Sequence, residues 1–267
     1  MQVGIYLNKK YFNDEKPYVK KLSSAFASPC REIKSYSDLD GLEILFVLGG
    51  DGTILTVATE CAKRGVKIIG INYGHVGFLA EFEPDKLDDA INLVKSGNYA
   101  TQKRSMLEIR CGEHTYYALN DLVIQRGTSG KNFINTVSVH AEIDGSTVDN
   151  FAADGIIVST PTGSTAYSLA AGGSVLTPDI NAFILTPICA HSLHSRPVVF
   201  SDKSILKLKP LNAAAPLGLI VDGKAVGTVE NGQTVYVTKA KHAVTFITKD
   251  DKNFFNKLLI KLNIWSK

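Results

Sequence analysis

The sequence has few cysteines, little net charge and no long apolar run, and each shortage excludes a class of protein. Its four cysteines, at positions 30, 61, 111 and 189, form no CxxC pair and no cluster. We therefore expect neither a zinc site nor a disulfide framework, and a reducing cytoplasm fits best. The net charge of +3 is too small for a protein that coats nucleic acid. Apolar runs such as Val3–Leu7 and Ala182–Leu185 are short, so we expect no signal peptide and no membrane-spanning helix.

The composition is that of a folded globular protein. The chain has 267 residues, of which 45% are apolar, so it can bury a large core and is not intrinsically disordered. This length allows one large or two ordinary domains. We predict an α/β domain over residues 1–98, with the tail 250–267 packing back on it, and a β-rich domain over residues 99–249.

The first domain is predicted from alternating strand-like and helical segments, a pattern typical of a mostly parallel sheet covered by helices. Leu42–Leu48 is almost continuously apolar, as expected for a strand buried on both faces. The other predicted elements are strands at Val3–Leu7 and Val66–Ile71 and helices at Pro17–Ala27, Ile54–Arg64 and from Pro84 to near Gly97.

Beyond about residue 100 the apolar residues recur every second position instead, which predicts strands. In Val137–Ile143 this alternation runs into Asp144-Gly145, a typical hairpin turn. A short helix is predicted over Ser164–Ala171, and the amphipathic, basic tail Asn253–Trp265 forms either a helix or an extended arm. Further strands are predicted at Ser146–Val148, Ile156–Ser159, Phe183–Thr186, Ile205–Leu208, Leu217–Val221, Thr234–Val237 and Val244–Thr248.

A glycine-rich motif, Gly49-Gly50-Asp51-Gly52-Thr53, lies between a buried strand and a helix. It therefore lies at the carboxyl edge of the sheet, where α/β proteins bind ligands. Its glycines let backbone N–H groups approach phosphate oxygens, and the helix N-terminus favours anions. Asp51 then either holds a magnesium ion or takes a proton from an attacking hydroxyl, or it is simply the N-cap of the helix. The motif is neither a Walker A nor a GxGxxG sequence.

Two polar motifs in the β-rich half are candidates for nucleotide binding. Hydroxyl side chains crowd the segment 159–165, and Tyr167 follows with a flat ring, which together suit a base or a ribose, although Ser and Thr are also common helix caps. Asn120-Asp121 follows the strand-like Thr115–Leu119. An amide beside a carboxylate can bind both hydroxyls of a ribose, or it can be an ordinary turn.

Taken in order along the chain, these motifs resemble the bacterial NAD kinase family. The resemblance is carried by GGDGT at 49–53, NYGHVGFL at 72–79, LND at 119–121, DGIIVSTPTGSTAYSLAAGG at 154–173 and SRPV at 195–198. It covers roughly residues 1–250, and the stretch 154–167 is highly specific. GGDGT alone is less specific, because lipid kinases and phosphofructokinases share related forms.

The resemblance implies an ATP-dependent phosphorylation of NAD at the 2′-hydroxyl of its adenosine ribose, in a cleft between the domains, with magnesium or another divalent cation. It implies Asp51 as the catalytic base and a homodimer or homotetramer, with no nucleic-acid or membrane partner. No protein metal ligand is assigned. The implied nucleotide-binding residues are Gly49, Gly50, Gly52, Thr53, Phe78, Asn120, Asp121, Ala152, Asp154, Thr165, Ala166, Tyr167, Ser168, Leu169, Ala170 and Ala190.

The sequence departs from the family pattern at a few of these positions. Asp121 stands where the family commonly has glutamate, Ala152 stands where many members have arginine, and Ala170 occupies an often polar position. These departures put single contacts in doubt and leave the reaction class unchanged. His191 and His194 are interpreted as structural residues rather than catalytic ones.

Lys203, Lys207 and Lys209 alternate with apolar residues, so we interpret them as the solvent face of a strand rather than a nucleic-acid patch. Two other functions remain open. A diacylglycerol-type lipid kinase predicts an apolar acceptor groove in place of the hydroxyl cluster. A non-catalytic dinucleotide sensor keeps the NAD site, but the presence of Asp51 counts against it.

Overall fold

The computed structural model describes residues 1–9, 16–74, 77–127, 136–192, 194–213, 215–249 and 254–265. Positions 75 and 76 of the turn motif and residues 250–253 of the predicted tail lie outside these ranges. The chain forms two compact units. The first comprises Met1–Lys103 together with His242–Lys267, and the second comprises Arg104–Lys241.

The first unit is an α/β unit with a largely parallel sheet. Its strands are β1 (Val3–Leu7), β2 (Arg31–Glu32), β3 (Ile44–Gly49), β4 (Lys67–Asn72), β5 (Ala100–Arg104) and, near the end of the chain, β18 (Val244–Thr248). Its helices are α1 (Lys16–Ala25), α2 (Asp51–Arg64), α3 (Leu87–Ser96) and the C-terminal α5 (Phe254–Trp265).

The strand order of this sheet is β2-β1-β3-β4-β18-β5. The pairs β1–β2, β1–β3, β3–β4 and β4–β18 are parallel. Every residue of β3 is buried, in agreement with its continuous apolar run. Helix α2 ends at Gly65, whose φ of 71° is left-handed and therefore favours glycine. Because β3 runs directly into α2, the glycine-rich motif lies at the carboxyl edge of the sheet, as predicted.

The second unit consists mainly of antiparallel strands. They are β6 (Leu107–Cys111), β7 (His114–Ala118), β8 (Asp121–Gln125), β9 (Val137–Ile143), β10 (Ser146–Ala153), β11 (Gly155–Ser159), β12 (Ala182–Ile188), β13 (Val198–Ser201), β14 (Leu206–Leu211), β15 (Leu217–Val221), β16 (Lys224–Val229) and β17 (Val235–Lys239). A single-turn helix, α4 (Tyr167–Ala170), follows a 3₁₀ turn at Gly163–Thr165.

These strands form two sheets, ordered β10-β9-β14-β17-β6-β7 and β13-β12-β11-β8-β15-β16. Buried side chains of both sheets belong to one apolar core, including Phe151 and Leu208 of the first sheet and Phe183 and Leu219 of the second. The sheets therefore pack face to face. In the second sheet β11 is paired on both sides, with β8 and β12, and all its residues are buried.

Several elements differ from the sequence-based predictions. Val244–Thr248, predicted for the β-rich half, pairs with β4 through Phe246 and Ile68, so it belongs to the parallel sheet of the first unit. The single helix predicted over Ser164–Ala171 is a 3₁₀ turn and then one α-helical turn. Asp121 is the first residue of β8, a strand that was not predicted. Strands β2, β5, β6, β13 and β16 were also missed, and all of them except β6 lie at sheet edges, where charged and polar residues often replace the apolar ones.

Candidate active site

Asp51 stands at the first position of α2, not at its N-cap. The N-cap residue is Gly50, which has no side chain to cap the helix, so the interpretation of Asp51 as the N-cap is wrong. The carboxylate instead accepts two backbone hydrogen bonds from a distant loop, at 2.8 Å from the N–H of Phe78 and 3.1 Å from the N–H of Leu79. Each oxygen accepts one of them, and because a carboxylate has about four acceptor positions, both oxygens can still accept a ligand hydroxyl.

The close approach of this loop to Asp51 depends on Gly77. A Cβ at Gly77 would lie 2.5 Å from the Cγ of Asp51, so any side chain there would displace the carboxylate. Gly49 has a similar role beneath the helix, since its Cβ would lie 2.7 Å from the Cβ of Thr53. Thr53 is buried, and its hydroxyl accepts a hydrogen bond of 2.9 Å from Nδ2 of Asn8. The motif is therefore held by contacts on both sides of α2.

A cavity of about 480 Å³ opens beside the N-terminus of α2 within the first unit. Its lining comes from Tyr6–Lys9 at the end of β1 and just beyond it, from Glu32–Lys34 at the end of β2 and just beyond it, and from Gly52, Thr53 and Thr56 of the helix. Lys34 pairs with Glu32 at 3.4 Å, and Lys9 is exposed. Two lysines and the N-terminus of a helix together suit an anionic ligand.

Helix α5 packs against the loop that carries Phe78. The rings of Phe78 and Phe254 are 6.0 Å apart, and the ammonium of Lys257 lies 2.6 Å from the Glu81 carboxylate. Glu81 is only 7% exposed, so this ion pair is largely shielded from water. The C-terminal helix therefore stabilises the loop that donates to Asp51.

In the second unit, residues 119–121 lead from the end of β7 through a turn into the first position of β8, and a distant residue holds this turn. The Asp222 carboxylate accepts hydrogen bonds from the backbone N–H groups of Leu119 at 2.9 Å, Asn120 at 2.7 Å and Asp121 at 3.1 Å. Sequence reasoning missed Asp222. The sequence around Asp222 shows only that an Asp-Gly pair, at 222–223, follows the predicted strand Leu217–Val221. Such a pair is typical of a hairpin turn and does not point to a contact with residues 119–121.

The hydroxyl cluster mostly supports its own loop. Ser164 Oγ donates to the Pro161 carbonyl at 2.7 Å and Thr165 Oγ1 donates to the Thr162 carbonyl at 3.1 Å. Ser168 Oγ shares a 2.9 Å hydrogen bond with Thr186 Oγ1, and these hydroxyl residues are buried. The cluster was predicted from the sequence to offer its hydroxyls to a base or ribose, whereas these bonds use them internally. Within residues 159–170, the side chains that are at least partly exposed are those of Ala166, Tyr167, Leu169 and Ala170.

Tyr167 lies among acidic groups. Burial raises the pKa of Tyr167, and the neighbouring acidic groups of Cys189, Asp154 and Asp121 raise this pKa further. Its side chain is 43% exposed, so the ring presents an accessible face beside these groups. Ala190 follows Cys189 directly and is half-buried.

Asp154 has a cationic partner that the sequence did not reveal. Nη2 of Arg126 lies 3.0 Å from Oδ2 of Asp154, and the Arg126 N–H donates to the Asp154 carbonyl at 3.1 Å. Ala152, where the family often has arginine, accepts a hydrogen bond from the backbone N–H of His191 at 2.8 Å. A guanidinium is therefore present in this neighbourhood, but it comes from the end of β8.

In the described part of the chain, no group of three or more His, Cys, Asp and Glu side chains is arranged to hold a metal ion. The same residues include no helix that is both long enough and apolar enough to cross a membrane.

Comparison with known proteins identifies the family. Residues 119–249 match the model of the ATP-NAD kinase C-terminal domain, and residues 9–99 match that of the N-terminal domain. The chain belongs to the ATP-NAD kinase family. The resemblance inferred from the motifs is thereby confirmed.

Individual members of the ATP-NAD kinase family match over most of the chain. The NAD kinase of Caldanaerobacter subterraneus subsp. tengcongensis is 37% identical over 257 residues, covering 92% of this chain and 88% of the relative. That of Carboxydothermus hydrogenoformans is 36% identical over 226 residues, covering 83% and 79%. These identities extend across both domains of the family.

Solved structures of the ATP-NAD kinase family share the fold. Yeast NADH kinase in complex with NADH gives a TM-score of 0.82 at 23% identity, covering 100% of this chain and 89% of that one. The Archaeoglobus fulgidus NAD kinase in complex with ATP gives 0.81 at 22% identity, covering 98% and 99%. The predicted fold, an α/β N-terminal domain and a β-rich C-terminal domain, is confirmed.

Proposed function

We propose that this chain is an NAD kinase that transfers the γ-phosphoryl group of ATP to the 2′-hydroxyl of the adenosine ribose of NAD, giving NADP. The observation that carries the proposal is the Asp51 carboxylate. It stands at the N-terminus of α2, in the family's glycine-rich motif, with its two oxygens oriented by the backbone of a loop. A kinase of an alcohol acceptor needs such a fixed acceptor for the hydroxyl proton.

In the proposed reaction the ribose 2′-oxygen attacks the γ-phosphorus as its proton passes to Asp51, and the bond from phosphorus to the bridging oxygen of ADP breaks. The N–H groups of Phe78 and Leu79 fix the orientation of the Asp51 carboxylate, so that its oxygens are held in place to receive the hydroxyl proton. Direct transfer needs both substrates bound together, so no phosphoenzyme forms.

The donor phosphates are proposed to bind near the N-terminus of α2. The backbone of Gly49, Gly50, Gly52 and Thr53 and the two lysines that line the neighbouring cavity support this placement. A divalent cation fits the same chemistry, since magnesium is usually held by one or two carboxylates and by substrate phosphates. Asp51 is the only carboxylate of the motif and is assigned to the hydroxyl proton, so the ion would be held mainly by the substrate phosphates. When bound, the ion would neutralise charge on the triphosphate.

The dinucleotide is proposed to bind to residues of the second unit. Asn120 and Asp121 are proposed for a ribose. The exposed ring of Tyr167 offers a stacking face, and Thr165, Ala166, Ser168, Leu169 and Ala170 are proposed to form the same wall. Asp154 and Ala190 are proposed for the nicotinamide half, where Arg126 supplies a positive charge beside Asp154. Ala152 is proposed as a further position that contacts the substrate.

We further propose a homodimer or homotetramer and a cytoplasmic location. Exposed apolar side chains on α5, at Phe255, Leu259 and Ile260, support self-association, because burying them against another copy of the chain removes apolar surface from water. The cytoplasmic location is supported separately by the four cysteines, which are free thiols and so suit a reducing compartment. Light scattering after size-exclusion chromatography measures the assembly, and a monomer at micromolar concentration would contradict it.

The test of function is an assay of NADP formation from NAD, ATP and magnesium, run beside diacylglycerol as the acceptor. We expect NADP and no phosphatidate. Phosphatidate alone would favour the lipid kinase, and NAD binding without turnover would favour the sensor. Initial rates against both substrates should give intersecting lines, and parallel lines would indicate a covalent intermediate.

Asp51→Asn tests the role of the carboxylate in this assay. We expect turnover to fall roughly 100-fold or more, the usual contribution of a general base. The matched control is Asp89→Asn, which changes an acidic residue in the first turn of α3 that is 54% exposed. Near-normal turnover of Asp51→Asn would remove Asp51 from the mechanism.

A further inference from the structure

The tip of the hairpin between β15 and β16 is attached to the start of β8 by reciprocal hydrogen bonds. Asp222 and Gly223 form this tip with left-handed φ values of 46° and 75°. The Asp222 N–H donates to the Asp121 carbonyl at 3.0 Å, while its carboxylate accepts from the N–H groups of residues 119–121. A left-handed φ is costly for a non-glycine residue, and these bonds offset that cost.

Thr160 holds the other side of the same turn. Its N–H donates to the Asn120 carbonyl at 2.9 Å, and its hydroxyl donates to the Leu119 carbonyl at 2.5 Å. Every backbone N–H and carbonyl of residues 119–121 thus has a partner on Asp222 or Thr160. The direction of the Asn120 and Asp121 side chains is therefore set by two residues that lie far away in the sequence.

The turn also brings together two acidic residues that differ in their surroundings. Asp222 receives three N–H donors, which favour its ionised form. Asp121 is 5% exposed. Burial, and then the negative charge of Asp222, raise the pKa of Asp121 to about 7. Burial raises the pKa of Asp222 above its ordinary value, and the three N–H groups and the charge of Lys224 offset only part of this rise. Asp121 is thus the member of the pair that holds a proton near neutral pH.

We propose that Asp222 is a positioning residue of this enzyme, which orients the Asn120-Asp121 turn toward the dinucleotide and controls whether Asp121 meets a ribose hydroxyl as a carboxylate or as a carboxylic acid. The inference rests on the proposed function. Asp222 itself contacts backbone groups and acts through Asp121. The charged and titratable groups around the pair are Lys224, beside Asp222, and Tyr167, beside Asp121.

The experiment measures the dissociation constant for NAD by calorimetry between pH 5.5 and 8.5. A carboxylate accepts from a hydroxyl more strongly than a carboxylic acid does, so in the wild type we expect NAD affinity to rise by about tenfold as Asp121 ionises near pH 7. In Asp222→Asn the neighbouring charge is lost. The same rise should then occur at a lower pH, because the negative charge of Asp222 is the second cause, after burial, that raises the pKa of Asp121.

Asp222→Asn also replaces one carboxylate oxygen by an NH2 group, which cannot accept a hydrogen bond, so at least one N–H of residues 119–121 loses its acceptor. KM for NAD should therefore rise about tenfold with a smaller change in kcat. The matched control is Asp144→Asn. Asp144 has the same left-handed φ, 50°, at another Asp-Gly hairpin tip, and accepts a 2.8 Å bond from the Ile205 N–H. We expect the control to leave the pH profile of NAD binding unmoved.

An Asp222→Asn profile that coincides with that of the wild type would overturn the proposal. If Asp222→Asn does not fold, Asp121→Asn is the deciding variant, because it should remove the change in NAD affinity near pH 7. If that change persists in Asp121→Asn, Asp121 is not the group that titrates, and the proposal is refuted. Wild-type protein that binds no NAD would instead contradict the proposed function, so the two failures are distinguishable.

Discussion

Gly163 tests whether the loop at 159–167 and the Asn120 turn work as one rigid unit. A Cβ at Gly163 would lie 2.5 Å from the carbonyl carbon of Asn120 and 2.8 Å from its Cα. These are backbone atoms, and Asp222 and Thr160 hold them in place, so no flexible side chain can swing away. Gly163 does not have a left-handed φ, which means that the effect of Gly163→Ala is steric and not conformational.

The size of the effect follows from these distances. An ordinary contact begins at 3.4 Å, and the carbonyl oxygen of Asn120 lies even closer to the new Cβ than the carbonyl carbon at 2.5 Å, so the loop and the turn must separate by more than about 0.9 Å. Overpacking of this kind costs about 1–3 kcal/mol of stability. A shift of about 1 Å in substrate-positioning groups costs roughly 100-fold in rate, so we expect kcat/KM for NAD to fall by that factor.

The assay combines urea unfolding with steady-state kinetics. The matched control is Gly218→Ala, in β15 of the same unit, where the nearest atom to a new Cβ is 3.6 Å away and no neighbour must move. We expect the control to change both quantities little. A Gly163→Ala variant with wild-type stability and kcat/KM within twofold of wild type would refute the idea that these two segments are rigidly packed.

Three other contacts give one prediction each. Asn120→Ala should weaken NAD binding by about 1–3 kcal/mol in calorimetry, because the polar groups of NAD that Asn120 is proposed to bind stay unpaired. Unchanged affinity would mean that Asn120 has a purely structural role in the turn. Gly77→Ala places a Cβ 2.5 Å from the Cγ of Asp51, so turnover should fall with little change in NAD affinity, and normal turnover would show that the loop adapts. Asp121→Asn should stabilise the fold increasingly between about pH 4 and 7. Because the pKa of Asp121 is raised in the folded state, the unfolded chain releases this proton at a lower pH than the folded chain does. The free energy of unfolding of the wild type therefore falls as the pH rises, by up to about 1.4 kcal/mol per pH unit. Urea unfolding that gives the same difference in stability between variant and wild type at pH 5 and at pH 8 would contradict this.

The sequence predicted the features that depend on neighbours along the chain. The buried strand β3, the glycine-rich motif and helix α2 follow from a continuous apolar run, three glycines and a helical repeat within about 20 residues. Helix α3 was likewise predicted from its apolar spacing and its terminal Gly97, whose φ is 68°. The hairpin at Asp144-Gly145 is equally local, since two-residue turns select residues that tolerate left-handed φ. The motif order was also enough to identify the family.

The tertiary structure decided which polar groups remain for a ligand. Asp222 lies about 100 residues after Asn120 and Asp121, and no period or spacing links a hairpin tip to a turn in another part of the chain. The hydroxyls of Ser164, Thr165 and Ser168 look free in sequence but are used within the unit. The reason is physical: apolar periodicity reports which face of an element is buried, whereas a hydrogen bond depends on where two distant segments meet.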